Sequence, residues 1–185
     1  MDDKKRCQWS LGDPQYMKYH DEEWGSPLHN DQKLFEMLIL EGFQAGLSWI
    51  TILRKRENFR KALDDFNPDK IASYNKRKIN SLLNDKGIVR NRLKIEAAVQ
   101  NARAFLKVKK EFGSFDNYIW QFVGNKSVKN KFKSIKEIPP RTEISDTMSK
   151  DLQKKGFKFV GSTICYAFMQ ATGMVNDHIV TCWKY

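Results

Sequence analysis

The sequence predicts an all-α fold of many short helices, and three observations carry that prediction. Apolar residues recur at the helical period of about 3.6, most clearly at Ile95, Ala98, Val99, Ala102, Phe105 and Leu106. Helix starts are marked: Asp13-Pro14 and Asn67-Pro68 each put a capping side chain before a proline suited to the first turn. No segment alternates polar and apolar residues strongly enough to predict a strand.

In chain order, residues 1–12 are polar and irregular, anchored only by Cys7 and Trp9. A short helix from Asp13-Pro14 carries Tyr16, Tyr19 and His20 and ends near Gly25-Ser26-Pro27. Asn30 or Asp31 caps the next helix, whose stripe of Leu34, Phe35 and Leu38 runs into Glu41 and a glycine turn at Gly46. Ser48 caps a helix through Ile52, Phe59 and Leu63 to about Phe66, and Asn67 starts a short one through Ile71. Residues 76–85 form a modest helix with Ile79, Leu82 and Leu83, and the long periodic helix follows Gly87. Gly113-Ser114 opens a helix with Tyr118, Ile119 and Phe122. Gly124 to Lys136 holds lysines 126, 129, 131, 133 and 136 and reads as an exposed basic connection, closed by Pro139-Pro140. Helices around 145–155 and 162–172 end at Gly156 and Gly173.

A chain of 185 residues, 41% apolar and 30% charged, is expected to form one domain over 1–185. No apolar run reaches membrane-spanning length and the N-terminus lacks the apolar stretch of a secretory signal, so a cytoplasmic location and no membrane partner are expected. Three cysteines do not make a secreted disulfide scaffold. The net charge of +11 points to a polyanion, with nucleic acid first and an acidic membrane or a merely basic surface as alternatives.

Glu41 with its aromatic neighbours, a Cys/His set and a glycine hairpin could each carry chemistry. Glu41 shares a helical face with Leu34, Leu38 and Ala45, where an unpaired carboxylate is costly, so it either meets a partner inside the protein or lines a pocket. Trp9, Tyr19, Trp24 and Trp49 would supply aromatic walls for a planar ligand, unless they are simply core. Cys7, His20, His178 and Cys182 form a Cys2His2 set suited to structural zinc, with His178 and Cys182 one helical turn apart; the alternative is two small apolar residues and two surface histidines. Cys165 reads as core and His29 as an exposed turn residue. Leu82 to Arg90, with a tight turn at Gly87-Ile88, suits a helix–hairpin–helix that holds a phosphate on backbone N–H groups; an ordinary glycine turn explains it equally well.

Four blocks resemble the 3-methyladenine DNA glycosylase I family of the helix–hairpin–helix glycosylases: Tyr19-His20-Asp21-Glu22-Glu23-Trp24-Gly25, Leu40 through Trp49, Gly156 through Gly161, and Met169-Gln170-Ala171 with Val175 through His178. The resemblance spans nearly the whole chain. It implies a two-lobed helical fold whose termini are joined by one structural Zn2+ on Cys7, His20, His178 and Cys182. It implies a base pocket of Glu41, Tyr19, Trp49 and Trp9, with Glu41 the catalytic candidate. It implies DNA contacts at a hairpin near 82–95 through Gly87, Val89 and Arg90, and a gap-filling loop at Gly46 and Leu47. The implied activity is monofunctional excision of 3-methyladenine from alkylated double-stranded DNA by a bacterial monomer without an obligate protein partner. Asn91 stands where bifunctional relatives carry a nucleophilic lysine, which argues against strand cleavage, and Lys94 is the nearest lysine. Asp177, beside His178, reads as structural. The competing classes are a non-catalytic DNA-binding domain and a zinc-dependent regulatory protein; the latter gives no reason for Glu41 on an apolar face.

Overall fold

The computed structural model describes residues 3–185. Among them nine α-helices account for the secondary structure, apart from short 3-10 turns and one two-residue strand pair. The helices are α1 (Pro14–Glu22), α2 (Asp31–Gln44), α3 (Trp49–Ala62), α4 (Pro68–Ala72), α5 (Lys76–Asn84), α6 (Arg92–Phe112), α7 (Phe115–Trp120), α8 (Glu143–Lys154) and α9 (Ser162–Ala171). The local signals act as their chemistry requires. The Asp13 carboxylate accepts from the backbone N–H groups of Gln15 and Tyr16, and Asn30, Asn67, Asn75 and Asn91 each cap the helix they precede. Thr142 and Ser145 form a reciprocal capping box that starts α8.

The hub is α2. Every residue from Leu34 to Phe43 is buried, and the helix packs on α3, α6, α7 and α9. A helix enclosed on all sides carries apolar residues all round, which is why Leu38-Ile39-Leu40 interrupts the amphipathic pattern. Long α6 packs on α4, α5 and α7, and α8 packs on α9, so α2 and α9 join the two groups of helices. At the end of α9, Gly173 (φ +67°) presses on the Ser26-Pro27 backbone; a Cβ there would sit 2.3 Å from the Ser26 carbonyl carbon, so only glycine fits.

Four local expectations are corrected. The helix from Ser48 stops at Ala62 rather than Phe66, because Asp64, Asp65 and Phe66 all take positive φ and turn the chain left-handedly into α4. Ser48 occupies the N-cap position of α3, but its hydroxyl meets that of Thr51 at 2.8 Å instead of a backbone N–H. The basic connection is tied down: Val128–Lys129 (β1) pairs in parallel with Val175–Asn176 (β2), and the Val180 N–H reaches the Phe132 carbonyl at 2.9 Å. A pair this short shows no alternation to read. Finally, His178 and Cys182 do not lie on a helix; a turn closed by the Cys182 N–H on the Ile179 carbonyl (2.8 Å) brings them together.

Candidate active site

Glu41 is 2% exposed, and its Oε2 has no hydrogen-bond partner among the described residues. Burial alone pushes its carboxyl up to about 8, since no cation among the described residues offsets the desolvation. The group borders a cavity of about 290 Å³. Tyr16 and Tyr19 enter from α1, Trp49 from the first turn of α3, and Trp9 from the 3-10 turn Gln8–Ser10. Trp24 lies just beyond α1, Gln44 ends α2, and Ala167 and Gln170 face in from α9. Ile135 and Ile138 supply the remaining wall from the basic connection.

Trp9 organises the aromatic lining, with ring centroids 4.9 Å from Tyr16 and 5.0 Å from Trp24, both edge-on. Tyr19 and Trp49 lie 5.4 Å apart at 47°, a direct ring–ring contact that leaves no room for a third ring between them. They are adjoining walls. Burial, together with the nearby Glu41 carboxyl, holds both the Tyr16 and Tyr19 phenols above their ordinary range. Among the described residues only two enclosed side-chain polar atoms lack a partner, Glu41 Oε2 and Trp49 Nε1, and both residues line this cavity. Native folds rarely tolerate such atoms, and a ligand with complementary groups would satisfy them.

Below Trp9 and Trp24, all four residues of the Cys2His2 set are buried, with their ligand atoms within 4.8 Å of one another. Cys182 Sγ lies 3.4 Å from His20 Nε2 and 3.4 Å from His178 Nδ1, and Cys7 Sγ lies 3.6 Å from His178 Nδ1. Zinc–sulfur and zinc–nitrogen bonds at tetrahedral angles separate such atoms by about 3.6 Å, so the donors fit one metal ion. The opposite ring nitrogens are held too: His20 Nδ1 by Asp21 at 2.8 Å and His178 Nε2 by the Trp24 carbonyl at 3.0 Å. Asp21 is in turn gripped by Arg6 and by the Trp183 indole N–H. Burial lowers His178 to about 4 and raises the Cys7 thiol, so the imidazole is the neutral form that ligates a metal.

The loop after α2 presents Gly46 (φ +77°) and Leu47, which is 42% exposed, beside the cavity residues Gln44 and Trp49. The α5–α6 pair forms a hairpin in which buried Ile88 anchors the turn and Arg90 is exposed. Asn58 crowds Gly87: a Cβ there would meet it at 3.1 Å. Lys94 is drawn inward and donates from Nζ to the carbonyls of Phe43 (2.9 Å) and Ala45 (2.5 Å). Asp177 accepts from Asn130, Tyr166 and Gln170, a structural role. Cys165 is core, and exposed His29 stacks on Trp120. Lysines 126, 129, 131, 133 and 136 are all exposed.

Tyr16, Gln44 and Gln170 belong to the cavity but did not stand out as site residues. Tyr16 carries a usable signal, being one helical turn from Tyr19. Ile135 and Ile138 carry none, because they reach the cavity through a long connection.

The family described as methyladenine glycosylase matches residues 9–185. DNA-3-methyladenine glycosylase 1 of Escherichia coli is 49% identical over 181 residues, 98% of this chain and 97% of the relative. DNA-3-methyladenine glycosylase of Haemophilus influenzae is 46% identical over 177 residues, 96% of each. A crystal structure of 3-methyladenine DNA glycosylase I superposes with a TM-score of 0.95 at 49% identity, covering 97% of this chain and 98% of that one. The Staphylococcus aureus enzyme, solved to explain 3-methyladenine recognition, gives 0.94 at 36% identity, covering 97% and 95%. With the aromatic cavity, its enclosed carboxyl and the helical frame all in place, this agreement along nearly the whole chain makes the protein a member of the methyladenine glycosylase family.

Proposed function

We propose that this chain is a monofunctional DNA glycosylase that flips 3-methyladenine out of alkylated double-stranded DNA and removes it by hydrolysis. The observation that carries this reading is the unpartnered Glu41 carboxyl in an aromatic cavity of about 290 Å³. A base inside a duplex must leave the stack before an enzyme can reach its glycosidic bond. Methylation at N3 leaves adenine cationic, so the base is a good leaving group and recognition matters more than acid catalysis. Glu41 accepts hydrogen bonds from the amino edge of the base, and Tyr19, Trp49 and Trp9 pack against it. The C1′–N9 bond breaks with its electron pair going to the base, which departs neutral. Water adds its oxygen to C1′, loses a proton to solvent, and leaves an abasic site.

Leu47 and Gly46 fill the gap in the duplex, while the hairpin at Gly87, Val89 and Arg90 holds a phosphate through backbone N–H groups and charge. Cys7, His20, His178 and Cys182 bind one structural Zn2+, which fastens the terminal segments beneath the cavity. The single domain works as a cytoplasmic monomer. Asn91 is spent on capping α6 and offers no amine, and Lys94 is engaged by two carbonyls, which argues against either position forming a covalent sugar adduct.

Incubating the protein with alkylated duplex DNA is expected to release free 3-methyladenine without strand cleavage. Glu41→Gln is expected to cut base affinity or turnover while remaining folded. Salt-sensitive binding with no base released would identify a non-catalytic DNA-binding domain, and full activity in Glu41→Gln would remove Glu41 from the mechanism.

A further inference from the structure

Asp177 is fully buried, and its carboxylate accepts three hydrogen bonds from two parts of the chain. Asn130 Nδ2 donates to Oδ1 at 2.7 Å, while the Tyr166 hydroxyl and Gln170 Nε2 donate to Oδ2 at 2.6 and 2.8 Å. Tyr166 and Gln170 stand one turn apart on α9, and Gln170 also lines the base cavity. A side-chain amide is donor at one end and acceptor at the other, and a carboxylate can only accept. Asp177 therefore fixes which way the Gln170 amide lies: the NH2 turns toward the carboxylate and the carbonyl oxygen turns away. No donor among the described residues reaches that oxygen, and it is not enclosed by protein.

We propose that Gln170 is a specificity-determining residue, its carbonyl oxygen oriented by Asp177 to accept a hydrogen bond from the amino group of the extruded base. The inference rests on the base-excision reading and extends it to the choice between methylated purines. An adenine amino group has two N–H bonds and can satisfy both Glu41 and Gln170. A methylated guanine presents a carbonyl oxygen at the same position. Glu41, whose carboxyl titrates near 8, can turn donor and accommodate that oxygen. An amide oxygen held outward by a carboxylate cannot. A seated base closes this oxygen off from water, so an analogue that offers it no donor leaves it unpaired and is discriminated against. Gln170 then supplies the fixed part of the preference and Glu41 the adjustable part.

The test uses the metal-loaded full chain with Gln170→Met, which keeps the side-chain length, and Asp177→Asn, whose amide can offer Gln170 a donor and let it turn over. Binding of free 3-methyladenine and free 3-methylguanine is measured by titration, and release of both bases is measured from one alkylated DNA sample. Gln170→Met is expected to bind 3-methyladenine about tenfold more weakly, the value of one lost hydrogen bond. Its preference for 3-methyladenine over 3-methylguanine should narrow by a similar factor, with the fold and metal content retained, although losing the bond to buried Asp177 lowers the thermal midpoint. Asp177→Asn should narrow the preference as well; if it fails to fold, Gln170→Met carries the test alone. An unchanged preference in Gln170→Met overturns the proposal, as does a uniform loss of affinity for both bases. Failure of the unaltered chain to release any base overturns the enzymatic reading instead, and the free-base titration still decides this one.

Discussion

Glu41 shows how far one residue can work against its own fold. The unfolded chain ionises this carboxyl near 4.5, whereas the folded chain holds its proton until about pH 8. Between those values the unfolded state binds fewer protons, so stability contributed by this group is fully present below 4.5 and declines as pH rises toward 8. A gap of this size amounts to on the order of 5 kcal/mol, using ~1.4 kcal/mol for each unit. Glu41→Gln removes the titration. Its stability relative to the parent should therefore improve steadily from pH 5 to pH 8, while its activity falls. Denaturant unfolding at the two pH values checks this, and equal differences at both would show that Glu41 is not desolvated in the free protein. Such a trade is expected where a binding site is kept ready for a ligand that completes it.

At the scale of elements, the C-terminus of α2 decides where the Gly46-Leu47 loop points. Lys94, reaching across from the first turn of α6, closes on the Phe43 and Ala45 carbonyls that α2 leaves unbonded. This contact couples the hairpin to the Gly46-Leu47 loop. Burial lowers the Lys94 ammonium, yet both carbonyls favour a donor in place. Lys94→Met keeps the buried stem and removes the donors, with an expected loss of about 1–3 kcal/mol in stability. Duplex affinity should weaken more than affinity for the free base, because the cavity walls lie elsewhere. Borohydride treatment of the parent protein with alkylated DNA should trap no adduct; a trapped adduct that disappears in Lys94→Met would make the lysine a nucleophile after all.

For the whole molecule, the metal cluster and the charge make separate predictions. Elemental analysis should find about one zinc per chain, and chelation or Cys182→Ser should lower stability by on the order of a few kcal/mol, because the ion binds only the assembled site. A metal-free protein with unchanged unfolding would end the zinc assignment. The charge of +11 should appear as a linear fall of log affinity for duplex DNA with log salt. Arg90→Ala should reduce that slope by about one phosphate contact, equally for damaged and undamaged duplex, while leaving free-base binding alone. A slope unaffected by Arg90 would move the phosphate contact off this end of the hairpin.

The sequence by itself determined the helical class, most helix starts and stops, the burial of Cys165 and the candidate cluster Cys7, His20, His178 and Cys182. These follow from short-range rules: a cap acts on the next turn, periodicity declares one face, and each ligand type is named by its own side chain. It also exposed the conflict at Glu41, since a carboxyl on an apolar stripe is visible without coordinates. Other features were decided only by the tertiary structure. That Glu41 lacks a partner depends on what α1, α3 and α9 bring near it. The turn that joins His178 to Cys182, the left-handed residues at Asp64 to Phe66 and the β1–β2 pair are held by distant contacts rather than by local preference. The orientation of Gln170 is the clearest case: the sequence gives an amide on an apolar helix, and only a carboxylate from beyond that helix determines which of its two ends the cavity receives.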